Sequence, residues 1–335
     1  MKILLNCNVP FALAHGGQQI QIERTRAALQ SLGLQVEPLR WWDHQQTGDV
    51  IHYFGRIPVI QVELAHQKGI KIVMAELLGG TGSRSPGKLR LQRWITRIMQ
   101  RTLPPAMLLN FNWKSYPLAD ACVALTPWEA HLMSDIFGAR PEKVHVVSNG
   151  VEEIFLNSPR AERGPWLVCT ATITQVKRVV ELAKAAIQAQ TPLWIIGKPY
   201  AESDPYAQKF IALARQHSQI IRYEGAIQDR ARLARVYREA RGFVLLSAWE
   251  SLSLSALEAA ACECPLLLSD LPWARTVFDR GAAFCPITSP SRTAACLRRF
   301  YDAAPSMTQP SKPFTWIEVA RQLEQIYHSV LDRRS

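Results

Sequence analysis

No Cys-x-x-Cys pair occurs in the sequence, and its seven cysteines, Cys7, Cys122, Cys169, Cys262, Cys264, Cys285 and Cys296, are odd in number. Cys262 and Cys264 have the wrong spacing for a zinc knuckle, and no second pair completes one. Five of the seven sit in apolar segments, where a thiol behaves as a small buried hydrophobe. These facts argue against a disulfide framework and a structural metal, and for a reduced, cytoplasmic protein. No apolar run approaches the roughly 20 residues of a spanning helix. The apolar stretch Ile3–Leu5 is too short for a signal peptide. Tandem repeats and low-complexity segments are missing as well.

What is present is enough apolar material for a large core. The chain has 335 residues, 48% of them hydrophobic and 20% charged, which suggests about two domains at roughly 150 residues each. Lys and Arg number 39 against 28 Asp and Glu, a net charge of +11. Such a surplus favours anionic partners: nucleic acid, anionic lipid or phosphorylated substrates. No RNA-recognition, KH or helix-turn-helix signature accompanies it, so nucleic acid is set aside as a partner.

Short Val-, Ile- and Leu-rich runs alternate with helical patterns from end to end. Ile3–Leu5, Leu34–Val36, Val50–Tyr53, Ile70–Met74, Ala121–Ala124 and Val144–Val147 read as strands. The polar stretch 157–165 reads as a linker. Beyond it, strands are predicted at Trp166–Cys169, Leu193–Ile196, Ile220–Tyr223, Gly242–Leu246 and Pro265–Leu268, with a last amphipathic helix from Phe314 to about Leu331. The fold class is α/β, as two doubly wound Rossmann-like domains. We expect residues 1–160 and 161–312 as the two domains, with 313–335 as a helix returning to the first. Open sheets of this kind bind ligands beyond the carboxyl ends of their strands. Two of them facing one another would place a site in the cleft between domains.

The most informative segment runs from Ser247 to Ala259, after the strand Phe243–Leu246. Glu250 lies in the post-strand loop and Glu258 about one turn into the helix that begins near Ser253. A helix N-terminus with Ser251, Ser253 and Ser255 around it suits a phosphate. The flanking carboxylates suit the hydroxyls of sugars. Taken alone, the same residues also describe an ordinary helix with capping serines and a surface Glu.

The surroundings add to this. Glu250-x7-Glu258, followed by Ala259-Ala260-Ala261-Cys262-Glu263-Cys264-Pro265 and Ser269-Asp270-Leu271-Pro272, resembles the Glu-x7-Glu region of retaining GT-B glycosyltransferases, family 4 (glycosyl transferases group 1). Asp120–Thr126, Val144–Val151, Lys177-Arg178, Gly16-Gly17 and Trp316 resemble further landmarks of that family. The resemblance implies sugar transfer, with retention, from a UDP- or GDP-linked donor to a hydroxyl of a saccharide or lipid-linked acceptor. It implies that Glu258 holds the ribose, Glu250 contacts the donor sugar and Lys177 binds the diphosphate. The backbone from Ser251 through Leu252 and Ser253 to Leu254 would line the pocket, with Gly16 and Gly17 approaching the diphosphate. No Asp-x-Asp pair, the metal-bridging device of the other major glycosyltransferase fold, is present, so no metal and no cofactor are expected. Two other readings stay open: a nucleotide-sugar epimerase on the same fold, and a non-catalytic nucleotide-sugar-binding protein.

Two positions depart from the pattern. Thr172 stands where many relatives carry an Arg, so Arg178 or Lys198 would have to replace that cation. Glu76 occupies the neighbourhood where many carry a His; it reads either as a catalytic, acceptor-orienting base or as a strand-end carboxylate. His52 reads as structural. Finally, Arg84 to Arg101 contains no acidic residue. Lys88, Arg90, Arg93, Arg97 and Arg101 accompany Leu91, Trp94, Ile95, Ile98 and Met99 in an amphipathic helix. It reads either as a core-packed helix with a basic outer face, or as a membrane or acceptor surface that would make the protein peripheral on the inner face of a membrane.

Overall fold

The computed structural model describes residues 1–7, 11, 16–157, 159 and 161–333. The chain divides into two compact units: Met1–Asn149 with Trp316–Ser335, and Gly150–Thr315.

In the first unit the strands are β1 (Lys2–Cys7), β2 (Gln35–Pro38), β3 (Val50–Phe54), β4 (Lys71–Ala75), β5 (Ala121–Ala124) and β6 (Val144–Val146). They form one sheet in the order β2-β1-β3-β4-β5-β6, parallel throughout. All five residues of β3 are buried. A parallel strand covered on both faces needs a continuous apolar run rather than an alternating one, which is why Val50-Ile51-His52-Tyr53-Phe54 stands out in the sequence. The C-terminal helix Trp316–Asp332 packs on the helix Gly17–Ser31 and on β4. Its Tyr327 is fully buried and shares a 2.6 Å hydrogen bond between its hydroxyl and His52 Nδ1.

In the second unit β7 (Leu167–Thr170), β8 (Leu193–Ile196), β9 (Ile221–Tyr223), β10 (Gly242–Leu245), β11 (Leu266–Ser269) and β12 (Ala282–Cys285) form a parallel sheet in the order β12-β11-β10-β7-β8-β9. The chain builds outward from β7 through β8 to β9, then returns to the other side of β7 to lay down β10, β11 and β12. This is the doubly wound order, with its reversal between β7 and β10.

The unit boundary falls earlier than the expected 160/161. The helix Glu153–Leu156 already belongs to the second unit, because Phe155 is fully buried there and lies 6.0 Å from the Tyr237 ring. Arg238 holds the carbonyls of Phe155 and Leu156 at 3.3 and 3.2 Å. Ser158 and Arg160 of the expected linker lie outside the described residues. The two ends of the second unit are joined: Val151 N–H donates to the Phe314 carbonyl at 2.9 Å, and Val151 pairs with Thr315 in an isolated parallel bridge.

Burial pushes the His52 imidazole down to about 3 from its ordinary 6.5. The folded state therefore refuses a proton that the unfolded chain accepts. The stability this neutral His contributes is complete above pH 6.5 and is lost as pH falls through the window toward 3, amounting to about 2 kcal/mol at pH 5. Thermal unfolding across this range should show a steeper acid loss in the wild type than in His52→Gln. Equal slopes would mean that His52 is not the group responsible.

Candidate active site

The reversal between β7 and β10 opens a crevice at their carboxyl ends. Residues 171–178 leave β7 there, and residues 246–253 leave β10. The two loops are bonded to each other: Ala248 N–H donates to the Val176 carbonyl at 2.7 Å. A turn in the first loop, with Lys177 N–H on the Thr174 carbonyl at 3.1 Å and Arg178 N–H on Gln175 at 3.2 Å, ends with Arg178 in the left-handed region at φ 53°. Few non-glycine residues adopt that conformation. Gly197, at the end of β8, has φ 152°, and a Cβ there would lie 1.8 Å from the Ala171 carbonyl oxygen. Only glycine lets the loops after β7 and β8 close together.

Across this crevice the Lys177 ammonium is ion-paired with the Glu250 carboxylate. Ser247 Oγ donates to the same Glu250 oxygen at 2.9 Å, and the Ser247 carbonyl is itself held by Ser269 Oγ at 2.6 Å. Glu250 is thus oriented from two strands, while Lys177 keeps about a quarter of its side chain exposed. The helix Leu254–Ala261 follows, capped by Ser253, whose Oγ accepts from Ala256 N–H at 3.3 Å. An anion at this end meets first-turn N–H groups and the positive end of the helix dipole. Ser251 and Leu252 lie between Glu250 and the cap. Thr172 and Arg178 lie in the loop after β7, as the resemblance implied.

Glu258 is buried, 6% exposed, on that helix. It is ion-paired with Arg230, and the Tyr237 hydroxyl lies 3.4 Å from its other oxygen. Arg230 also reaches Glu152 at 2.9 Å and lies over the Phe155 ring, 4.6 Å from its centre. Burial raises the Glu258 carboxyl above its ordinary value, and Arg230 pulls it back. Burial keeps the Tyr237 hydroxyl neutral by pushing it well above the usual range.

Arg230, Tyr237 and Glu152 were not singled out from the sequence. One signal was there for Arg230. It opens the helix Arg230–Glu239, whose N-cap Asp229 accepts from Ala231 and Arg232 N–H at 2.9 and 3.2 Å. A cation at a helix N-terminus opposes the dipole, so a carboxylate elsewhere in the fold has to compensate it.

In the first unit, Gly16 is the N-cap of the helix Gly17–Ser31 with φ 147° and ψ −160°, a conformation reserved for glycine. Its predecessors His15 and residues 12–14 lie outside the described residues. Glu76, just past β4, is held by Arg56 through two bonds of 2.8 and 3.0 Å and by the Tyr116 hydroxyl. Arg56 is packed over the Phe137 ring at 4.6 Å and also holds the Phe111 carbonyl at 3.1 Å. With both oxygens occupied by its own chain, Glu76 fits the strand-end carboxylate better than the catalytic base. Among the described residues, no group of three or more His, Cys, Asp and Glu is placed to hold a metal ion.

Residues 164–303 match the model of the family described as glycosyl transferases group 1. The chain is 25% identical over 264 residues to D-inositol 3-phosphate glycosyltransferase 1 of Catenulispora acidiphila, covering 68% of this chain and 62% of that one. It is 32% identical over 177 residues to D-inositol 3-phosphate glycosyltransferase of Jonesia denitrificans, covering 45% and 41%. The chain thus spans less than two thirds of the length of these curated relatives. Among solved structures, a glycosyltransferase from Rickettsia africae superposes with a TM-score of 0.69 at 12% identity, covering 99% of both chains. Anabaena HepE in complex with UDP superposes with 0.65 at 13% identity, covering 98% and 100%. The fold is the GT-B fold of these glycosyltransferases. Lys177, Arg230, Glu250 and Glu258 all lie within the matched residues 164–303.

Removing Arg230 leaves Glu258 buried without its counter-charge, so Arg230→Ala should cost about 3 kcal/mol at neutral pH. The folded value of Glu258 already lies above the unfolded one, so the penalty is absent at low pH and grows as pH rises. Denaturant titrations should therefore show a larger loss at about pH 8 than at about pH 5. An equal loss at both would mean another group is left uncompensated.

Proposed function

We propose that the protein is a retaining glycosyltransferase. It moves a sugar from a UDP- or GDP-linked donor to a hydroxyl of a saccharide or lipid-linked acceptor, without a metal ion or cofactor. The observation that carries this reading is the Lys177–Glu250 pair at the β7/β10 reversal, beside a serine-capped helix and a buried carboxylate one turn further on. The neighbours solved with UDP and with UDP-glucose support a nucleotide sugar as donor.

In this reading the diphosphate lies against the N-terminus of the helix Leu254–Ala261, with the backbone of residues 251–254 along it. As the glycosidic bond breaks, the leaving nucleoside diphosphate gains negative charge. The Lys177 ammonium and the fixed N–H donors stabilise that charge where it develops. Glu250, aimed by Ser247, accepts from the donor sugar's hydroxyls. Glu258 accepts from the ribose hydroxyls, and Arg230 keeps that buried carboxylate ionised. Thr172 supplies a hydroxyl where a second cation is absent, leaving Arg178 to complete the charge.

A thermal-shift panel of UDP, GDP, ADP and their sugars should give one selective ligand, worth about 2.7 kcal/mol at a hundredfold excess over Kd. Glu258→Ala should abolish that shift. Glu250→Ala should keep it and lower turnover by about 10²–10³-fold. Wild-type rates in both variants would refute the site. Activity should persist in EDTA, and NMR of the product should show the donor's anomeric configuration. Loss of activity in EDTA with recovery in magnesium would refute metal independence.

A further inference from the structure

The helix Pro86–Thr102 is inverted relative to an ordinary surface helix. Such a helix turns its apolar stripe inward and its charges outward. Here the buried side chains are Leu89 and Thr96, whereas Leu91, Trp94, Ile95 and Ile98 are 55, 62, 41 and 38% exposed. At about 100° per residue these four fall on one side, opposite Leu89 and Thr96. Arg90, Arg93, Arg97 and Arg101 line one edge of the exposed apolar face, and Lys88 lies at the other. Arg93 is paired with Asp135 at 2.7 Å. A groove of about 560 Å³ runs beside the helix; Leu91, Ile95, Met99, Phe111 and Trp113 line it, with Lys88 toward the helix N-terminus. This arrangement rules out the core-packed alternative for the apolar side.

We infer that this face docks the protein on an anionic phospholipid bilayer. Leu91, Trp94, Ile95 and Ile98 enter the boundary between headgroups and acyl chains, and Arg90, Arg97 and Arg101 lie on lipid phosphates. An apolar stripe bordered by cations is the pattern of a helix that lies in the membrane plane, and Trp is favoured at that depth because its ring is apolar with one polar edge. A second copy of the chain is the poorer occupant: no acidic residue lies between Arg84 and Arg101, so two such faces would meet with like charges along their edges. Each cation that reaches an anionic surface adds about fivefold to affinity and is screened by salt. Docking stands apart from the transfer reaction and is measured without any nucleotide sugar.

The test is co-sedimentation of the full chain with vesicles of phosphatidylcholine alone and with phosphatidylglycerol added, at low and high salt. The wild type should bind the anionic vesicles and lose affinity as salt rises. Trp94→Ser/Ile98→Ser should bind at least about tenfold more weakly. Arg90→Gln/Arg97→Gln should bind about 25-fold more weakly at low salt and depend less on salt. Lys184→Gln/Lys209→Gln, exposed cations of the second unit, should bind as wild type. The altered side chains on the helix are largely exposed, so the thermal midpoint should be unchanged. Failure of the wild type to bind anionic vesicles would overturn the inference, as would wild-type binding by either helix variant. So would light scattering that shows a dimer dissolved by Trp94→Ser/Ile98→Ser.

Discussion

The second unit depends on a change of direction. Because the chain winds outward from β7 and then returns to lay β10 on its other side, two loops leave adjacent parallel strands toward the same edge. One carries Lys177 and the other Glu250, 73 positions apart in sequence. Their contact follows from strand order rather than from any local preference. Gly197 lets the loops after β7 and β8 close, the Ala248–Val176 bond fixes the separation of the loops after β7 and β10, and Ser247 aims the carboxylate. The helix that leaves the second loop then carries Glu258 to its place beside Arg230.

The positive charge of the chain has two different fates. In the second unit, cations near the crevice are answered by carboxylates: Lys177 by Glu250, and Arg230 by both Glu152 and Glu258. A cation paired in this way is held in one orientation by its own chain. In the first unit, Arg56 is answered in the same way by Glu76. The cations of the helix Pro86–Thr102 differ, since they border an apolar face and no acid lies among them in sequence. Net charge alone does not separate these cases; the separation comes from what each cation touches.

Much of the fold was legible because parallel strands covered on both faces must be continuous apolar runs. Leu193–Ile196 and Ala121–Ala124 coincide with their predicted spans for that reason. The strand β12 was not foreseen, because Ala-Ala-Phe-Cys contains no β-branched residue and depends on pairing with β11 for its conformation. The linker reading failed differently: a polar, proline-bearing stretch marks a surface loop, and only the packing of Phe155 shows on which side of it the unit begins. Glu250 and Glu258 stand out in the sequence by their spacing, and Lys177 by the resemblance of Lys177-Arg178 to a family landmark. Arg230 does not, since its role is set by a carboxylate that tertiary structure alone brings near. The basic helix shows a similar limit. Periodicity places Trp94 and Ile98 on one stripe but is silent on which side of the helix faces the core.

The bond from Val151 to Phe314 has a consequence for inheritance. It places the beginning and the end of the second unit side by side, so that the whole of Gly150–Thr315 is an insertion with neighbouring ends in the sequence of the first unit. An insertion of that kind can be exchanged between genes as a cassette, because its removal and replacement disturb the host chain at one point only. The segment that matches the family, residues 164–303, lies wholly inside the cassette. The two units are thus free to have separate histories, since the second begins and ends at one point of the first.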